Sequence, residues 1–255
     1  MTVSKLYAAL NERIPRHLSC DWDNDGLMCC PDADAPVRRV LVALDITAAM
    51  VEKAIAEGYD LIVSHHPLIF SPLRAMDPGD PVAKKVIRLL RAGVSAMSFH
   101  TRLDAVEGGV NDVLAEALGL LDVEAFGPEN ERIGRIGTLP EVLTLGDFAA
   151  RVKAVTEADC VQYVDAGLPV RRVAVLGGSG SDDVAEAKRA GADTYLSGEL
   201  KHNHLTDAPE RGMNLIAAGH FHTENPVTRR IRELLLSIDP ALTVTLADSN
   251  PVRTL

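Results

Sequence analysis

The feature that most constrains the fold is a βαβ pattern that occurs twice at a constant offset. Residues 38–64 read as a strand, a helix and a second strand, and residues 171–197 repeat that order of apolar residues with no gap. Two strands joined through a helix are parallel and have a right-handed crossover. The repetition therefore predicts an α/β fold of two pseudo-repeated lobes, with helices packed on mostly parallel sheets. The aligned positions are Val51, Ala54, Gly58, Asp60 and Ser64 with Val184, Ala187, Gly191, Asp193 and Ser197.

The two copies differ directly after the second strand, where His65 and His66 correspond to Gly198 and Glu199. Adjacent side chains on a regular strand point to opposite faces. Pro67 stops the first strand, however, and in the turn that follows both imidazoles can converge on one cavity. Because histidine is the commonest metal ligand, the pair indicates a metal site.

Acidic partners for the histidine pair follow two other apolar runs. His100 to Asp104 comes after the run 94–99, and His220 to Glu224 comes after the run 215–218. In open α/β sheets, ligands bind outside the carboxyl ends of the strands, so these side chains are expected to meet there. We predict that the metal ligands are His65, His66, Asp104, His220 and Glu224.

This ligand set exceeds what one tetrahedral ion needs. It could hold two divalent ions about 3.5–4 Å apart with a bridging carboxylate. Mixed histidine and carboxylate ligands suit zinc, iron(II) or manganese alike. The four-residue spacing of His220 and Glu224 would place both on one side of a helical turn.

The rest of the chain reads as alternating helices and strands. Apolar residues at helical spacing predict a helix over 4–14, and residues 133–140 predict a strand. Cap residues mark the ends of other helices. These helices are expected to begin after Thr47, Asp80, Gly109 and Thr144 and near Asn225-Pro226, and the one after Asp80 to end at Gly93.

Several polar stretches allow two interpretations. The loop 21–25 either forms turns of its own or is a carboxylate-rich border of the site. The loop 177–181 is either a tight turn between strand and helix or an anion cradle. His100 and His222 either orient a ligand or fill space. Four further side chains either line the cavity or lie in a solvated loop, namely Glu199, Lys201, His202 and His204.

Composition excludes several classes of protein. A net charge of −10 over 255 residues argues against binding the phosphate backbone of a nucleic acid. No apolar run reaches about 18 residues, so no membrane helix is expected, and the first residues lack a signal-peptide core. The four cysteines have neither a redox nor a zinc-ribbon spacing, which indicates reduced thiols and a cytoplasmic location.

Over nearly its whole length, the chain resembles the GTP cyclohydrolase I type 2 homologue family, also called Nif-three-like dinuclear metal-centre proteins. The matching stretches occur in family order. They are Asp21-Trp22-Asp23-Asn24, Ser64-His65-His66-Pro67-Leu68-Ile69-Phe70, His100-Thr101-Arg102-Leu103-Asp104, Gly108-Gly109-Val110-Asn111, Gly134-Arg135-Ile136-Gly137, Gly177-Gly178-Ser179-Gly180, Ser197-Gly198-Glu199 and Gly219-His220-Phe221-His222-Thr223-Glu224.

The resemblance implies a toroidal homohexamer whose subunits each carry two metal ions facing an internal cavity. It places the family's ligands on the same five residues. It also implies one Nif-three-like unit over 1–255, with lobes at about 1–125 and 126–255 and no large insertion domain. Two residues depart from the family pattern: Asp25 stands where an apolar residue is usual, and His222 where a smaller or non-coordinating residue is common.

Two functions follow from these features. The first is a metal-dependent hydrolase that uses metal-activated water on a small-molecule substrate, similar to a GTP cyclohydrolase or a phosphoesterase. The alternative is a hexameric interaction or metal-handling protein without turnover. Both require the metal site, and neither involves a membrane or a nucleic acid.

Overall fold

The structure is a computed structural model that describes residues 1–129 and 131–254. Its helices are α1 (Val3–Arg13), α2 (Ala48–Ala56), α3 (Pro81–Ala92), α4 (Thr101–Ala105), α5 (Val110–Ala117), α6 (Leu145–Thr156), α7 (Val184–Arg189), α8 (His202–Arg211), α9 (His220–Glu224) and α10 (Val227–Ile238). Its strands are β1 (Gly26–Cys29), β2 (Arg39–Ala43), β3 (Leu61–Ser64), β4 (Ser95–Ser98), β5 (Leu121–Phe126), β6 (Gly134–Leu143), β7 (Gln162–Val164), β8 (Val170–Ser179), β9 (Thr194–Glu199), β10 (Asn214–Ala217) and β11 (Thr243–Leu246). None of the described helices has the length and apolar character needed to cross a bilayer.

The chain divides into two compact units. The first comprises Met1–Leu103 and Thr228–Pro251, and the second comprises Asp104–Val227 with the residues from Val252 onward. The C-terminal strand β11 belongs to the first unit because it pairs in parallel with β2, Val244 opposite Val40. The expected lobes at about 1–125 and 126–255 stay a prediction.

The first unit contains a five-stranded sheet in the order β1-β4-β3-β2-β11. Neighbours from β4 to β11 are parallel, and only β1 is antiparallel, on β4. Leu41 and Ile62 of this sheet pack in one buried cluster with Val51 of α2 and Leu89 of α3. Burial of these apolar residues drives helices and sheet together.

The second unit contains a six-stranded sheet in the order β5-β6-β8-β9-β10-β7. Its centre, β8-β9-β10, is parallel, and the pairings outside it are antiparallel. Alternate residues of β8 enter two different cores, as the two-residue period of a strand requires. Val173 and Val175 pack in the cluster with Phe148 of α6, whereas Ala174 and Leu176 pack in the cluster with Val184 of α7.

The predicted fold class and internal repeat are confirmed by register. Val40 lies opposite Leu61 in the first unit, and the aligned Val173 lies opposite Thr194 in the second. The repeat extends past the aligned segment, because β4 and β10 both continue the parallel order and each is followed at the same distance by a five-residue helix, α4 and α9.

The predicted helix caps are also confirmed. Thr47 Oγ1 accepts the Met50 N–H, and Asp80 Oδ1 accepts the amides of Val82 and Ala83. Gly93 ends α3 in the left-handed conformation, with φ of 72°.

Candidate metal centre

His65 and His66 follow β3 and lie together in the first unit, as the turn at Pro67 predicts. Their ring centroids are 4.9 Å apart. The His65 Nδ1 is 2.9 Å from the Phe99 carbonyl oxygen, and the His66 Nδ1 is 2.8 Å from Asp45 Oδ1. His65 is fully buried, and His66 is partly exposed.

A third histidine completes a cluster in this unit. The ring of His100 lies 5.3 Å from that of His65 and 5.8 Å from that of His66. One ring nitrogen from each of the three lies within 4.8 Å of the others, so this group could hold a metal ion. The ring contacts with the pair favour the interpretation in which His100 orients a ligand over the one in which it fills space, and the cluster also makes His100 a possible ligand itself.

Asp23 is hydrogen-bonded to His100 and to the neighbouring Thr101. Its Oδ1 is 2.8 Å from His100 Nδ1, and its Oδ2 accepts the backbone N–H and the hydroxyl of Thr101 at 3.0 and 2.7 Å. Burial alone would raise the pKa of Asp23, but the hydrogen bonds from His100 and Thr101 outweigh burial and lower the pKa to about 2. Asp23 is therefore ionised at neutral pH. Its contact with His100 also means that the loop 21–25 borders the histidine cluster.

These partners suit metal binding. A carbonyl or carboxylate oxygen only accepts, so the Nδ1 atoms of His65, His66 and His100 carry the proton and donate it. The lone pair of each ring then resides on Nε2. Metal-binding histidines commonly have this arrangement, in which an outer oxygen fixes the tautomer and the ring orientation. The first unit thus offers three oriented imidazole donors.

A buried ion pair supports the loop that carries Asp23. Asp25 Oδ2 accepts Arg102 Nε at 2.8 Å and the His100 backbone N–H at 3.1 Å, and Asp25 Oδ1 accepts the Ser19 hydroxyl. The Arg102 guanidinium also donates to Asn11 Oδ1 and stacks 4.5 Å over the Phe99 ring. Asp25, which departs from the family pattern, therefore serves as the counter-charge of a buried arginine.

The second unit contains the remaining three predicted ligands. His220 and Glu224 begin and end α9, and the Nε2 to Oε2 distance between them is 3.1 Å. This separation suits two ligands of one ion, each about 2.0–2.2 Å from the metal. An oxygen of the buried Asp104 lies within 4.8 Å of one of Glu224. The prediction that a helical turn pairs His220 with Glu224 is confirmed.

Two glycines make room for this pair. A Cβ on Gly178 would overlap Glu224 Oε1 and lie 3.1 Å from His220 Nε2. A Cβ on Gly198 would lie 2.6 Å from the Gly178 carbonyl oxygen and 2.8 Å from the His220 Cα. The second copy of the repeat therefore has no space for a histidine where the first copy has His65.

Gly177, Gly178 and Ser179 of the predicted glycine loop are the last residues of β8, and Gly180 connects this strand to a helical turn that begins at Ser181. The Gly177, Gly178 and Gly180 amides donate to Asn111 Oδ1, Thr223 Oγ1 and Ser197 Oγ at 2.8, 3.1 and 3.0 Å. These three glycine amides are used within the protein, which counts against the anion-cradle interpretation.

The other predicted polar residues have more peripheral places. Glu199 Oε1 lies 3.5 Å from His220 Nδ1, and Lys201 pairs with Asp182 at 3.1 Å on the surface. His202 and His204 lie in the first turn of α8, and the ring of His222 contacts that of Phe221 edge to face. Of these residues, Glu199 is the one in contact with a predicted ligand.

Asp23, Asp45 and Gly178 contact ligand candidates although the sequence did not single them out individually. Asp45 follows the end of β2, so the rule about strand ends that selected the histidines would also have selected it. The role of Gly178 has no sequence signal, because it depends on the approach of a helix more than forty residues later in the chain.

Comparisons with known proteins give consistent matches. The profile of the family described as Duf34/NIF3 (NGG1p interacting factor 3) matches residues 1–251. The chain is similar to a Nostoc protein named GTP cyclohydrolase 1 type 2 homolog, with 37% identity over 206 residues that cover 79% of this chain and 78% of the relative. A Clostridium perfringens protein of the same name is 30% identical over 239 residues, 91% of this chain and 90% of the relative.

Solved structures show the same similarity. The crystal structure of Staphylococcus aureus protein SA1388 superposes with a TM-score of 0.88 at 25% identity, and the match covers 100% of this chain and 99% of that chain. The agreement extends over both units of the fold.

Proposed function

This chain belongs to the Duf34/NIF3 family, as its motifs predict, and from that premise we propose that it is a metal-dependent hydrolase. We propose that His65, His66, Asp104, His220 and Glu224 together bind two divalent ions, zinc, iron or manganese. The observation that carries the proposal is the pair of contacts that orients the two imidazoles, because His65 Nδ1 lies 2.9 Å from the Phe99 carbonyl oxygen and His66 Nδ1 lies 2.8 Å from Asp45 Oδ1. In this proposal Asp104 and Glu224 would supply negative charge that partly balances the two cations.

When bound, the ions would lower the pKa of a water molecule toward neutrality and polarise the substrate atom that it attacks. The protein's own groups supply orientation and proton transfer. The Phe99 carbonyl and Asp45 hold the imidazoles in place. His100, oriented by Asp23, is the imidazole of the cluster that we leave out of the ligand set, and its Nε2 would exchange a proton with the reacting group instead of binding a metal ion.

The substrate is a small molecule with a hydrolysable carbon or phosphorus centre. Relatives are named GTP cyclohydrolase 1 type 2 homologs, which makes GTP the first compound to test, followed by phosphate esters. We also propose that the protein is a cytoplasmic homohexamer in which each subunit carries this metal site.

The test is turnover measured together with metal content. We expect wild-type protein to bind two ions per chain and hydrolyse one of these compounds. The variants His66→Ala and Glu224→Gln should each lose at least one ion and reduce turnover by roughly a hundredfold or more. The exposed His17, changed to alanine, is the matched control and should change neither quantity.

Turnover that survives His66→Ala excludes this mechanism. Two bound ions with no turnover on any compound would instead support a metal-handling or interaction protein, which is the alternative function for this chain. Loss of activity in the His17→Ala control would mean that histidine removal acts through the fold.

A further inference from the structure

Two aromatic side chains are exposed beside the histidine cluster of the first unit. Trp22 is 56% exposed and Phe70 is 52% exposed. They lie on different loops, one between α1 and β1 and the other after β3. Burial of a large aromatic ring is energetically favourable, so two exposed rings in contact with one another indicate a ligand-binding or interaction surface.

The pair is in direct contact with His100. The Trp22 and Phe70 centroids are 6.3 Å apart with an interplanar angle of 64°, and they lie 6.2 and 6.1 Å from His100 at 78° and 87°. Both side chains remain more than half exposed beside these edge-to-face contacts. Because His100 also touches His65 and His66, the aromatic surface adjoins the proposed metal ligands.

The two loops are fixed to one another. The Asn24 side-chain amide donates to the Ile69 carbonyl oxygen at 2.6 Å, and Asp23 is anchored by Thr101 and His100. The aromatic surface is therefore preorganised, and a ligand would not have to order it on binding.

We propose that Trp22 and Phe70 form a subsite for a flat nitrogen heterocycle of the substrate. A planar ring can stack on the exposed part of this aromatic pair, and its nitrogen or oxygen atoms can face the adjoining imidazole of His100. A sugar or a bare phosphate offers no extended π face for this surface. The inference rests on the proposed function only in placing the reacting end of the substrate toward the metals.

Trp22 is the only tryptophan in the chain, so its fluorescence reports on this subsite alone. We expect guanosine, a purine nucleoside, to quench the emission of the metal-loaded protein in a saturable manner, whereas ribose 5-phosphate should not. The variant Phe70→Leu keeps an apolar side chain without the ring, and should weaken guanosine binding by about tenfold. Tyr163, also 52% exposed but in the second unit, is the control, and Tyr163→Leu should bind guanosine as the wild type does.

Equal quenching by ribose 5-phosphate, or unchanged affinity in Phe70→Leu, would overturn the subsite. A change in native mass in Phe70→Leu would also overturn it, because the surface would then be a contact between subunits. Turnover of a phosphate ester without ring-dependent quenching would leave the proposed function standing and remove this inference. Ring-dependent quenching without turnover would support the subsite and count against the proposed hydrolase function.

Discussion

Gly178 lies against the His220–Glu224 pair, and two properties of this residue matter. Its φ of +68° belongs to the left-handed region, which side chains rarely adopt. Its missing Cβ leaves the space that the Glu224 carboxylate occupies. The backbone property concerns stability, whereas the steric property concerns the ligand pair, so a substitution can separate them.

We predict that Gly178→Ala weakens metal binding by between about tenfold and a hundredfold. The added methyl group would displace the Glu224 carboxylate, which can rotate away at little cost to the fold. The matched control is Gly58→Ala, since Gly58 has the same φ of +68° with nothing within 4 Å of an added Cβ. Both variants should lose about 1–2 kcal/mol of unfolding free energy.

Metal titration by calorimetry and urea unfolding measure the two effects. Equal metal affinity in both variants would show that the space Gly178 leaves for the Glu224 carboxylate has no effect on metal binding.

Asp25 is the counter-charge of Arg102, and both side chains are almost completely buried, at 2% and 0% exposure. Removing one member of a buried pair leaves the other charge without compensation, which typically costs about 3–5 kcal/mol. We therefore predict that Asp25→Ala lowers the free energy of unfolding by about this amount. Urea unfolding followed by circular dichroism is the measurement.

The control for this prediction is an exposed ion pair in the same unit. Arg88 contacts Glu52 at 2.5 Å with side chains 46% and 57% exposed. Exposed pairs contribute about 0–1 kcal/mol, so Glu52→Ala should change little. A loss in Asp25→Ala no larger than that in Glu52→Ala would refute the assigned role of Asp25.

At the scale of elements, the two βαβ copies share a hydrogen-bond arrangement at the start of their strands. Asp60 Oδ2 accepts the Arg38 and Arg39 amides, both at 2.8 Å. The aligned Asp193 Oδ2 accepts the Arg171 and Arg172 amides at 2.9 and 2.7 Å. Each carboxylate ties the beginning of one strand to the beginning of its parallel neighbour.

We predict that Asp60→Ala and Asp193→Ala destabilise the protein by similar amounts, about 1.5–3 kcal/mol each, because hydrogen bonds to a charged acceptor have this value. The asparagine variants retain one oxygen acceptor and should lose less. Chemical denaturation of the four variants tests the equivalence of the copies. A large loss of stability in one copy alone would show that the two carboxylates do not contribute equally to stability, although their hydrogen bonds have the same geometry.

At the scale of the whole molecule, the proposed assembly can be separated from the proposed metals. Native mass spectrometry should give six times the 27.4 kDa of one chain. For an enzyme with metals at a catalytic site, we expect a chelator to abolish turnover and leave this mass unchanged. If the chelator instead dissociates the assembly, the metals serve structure and the alternative function gains support.

Much of the fold was predictable from sequence because its signals are local. Continuous apolar runs marked β2, β3, β4 and β10, and the side chains of Thr47 and Asp80 marked helix starts. Strands β1, β5, β7 and β11 were not predicted. They lie at sheet edges, where short and partly exposed strands have weak patterns and are stabilised by pairing with distant strands.

The sequence by itself determined the α/β class, the internal repeat and a set of histidines and carboxylates at strand ends, since parallel strands place their carboxyl ends at one edge. Only the tertiary structure decided which oxygen orients each imidazole, that His100 joins His65 and His66, and that Gly178 admits Glu224. The physical reason is that these contacts join residues far apart in the chain. Their geometry follows from how the elements pack, and local residue patterns do not encode it.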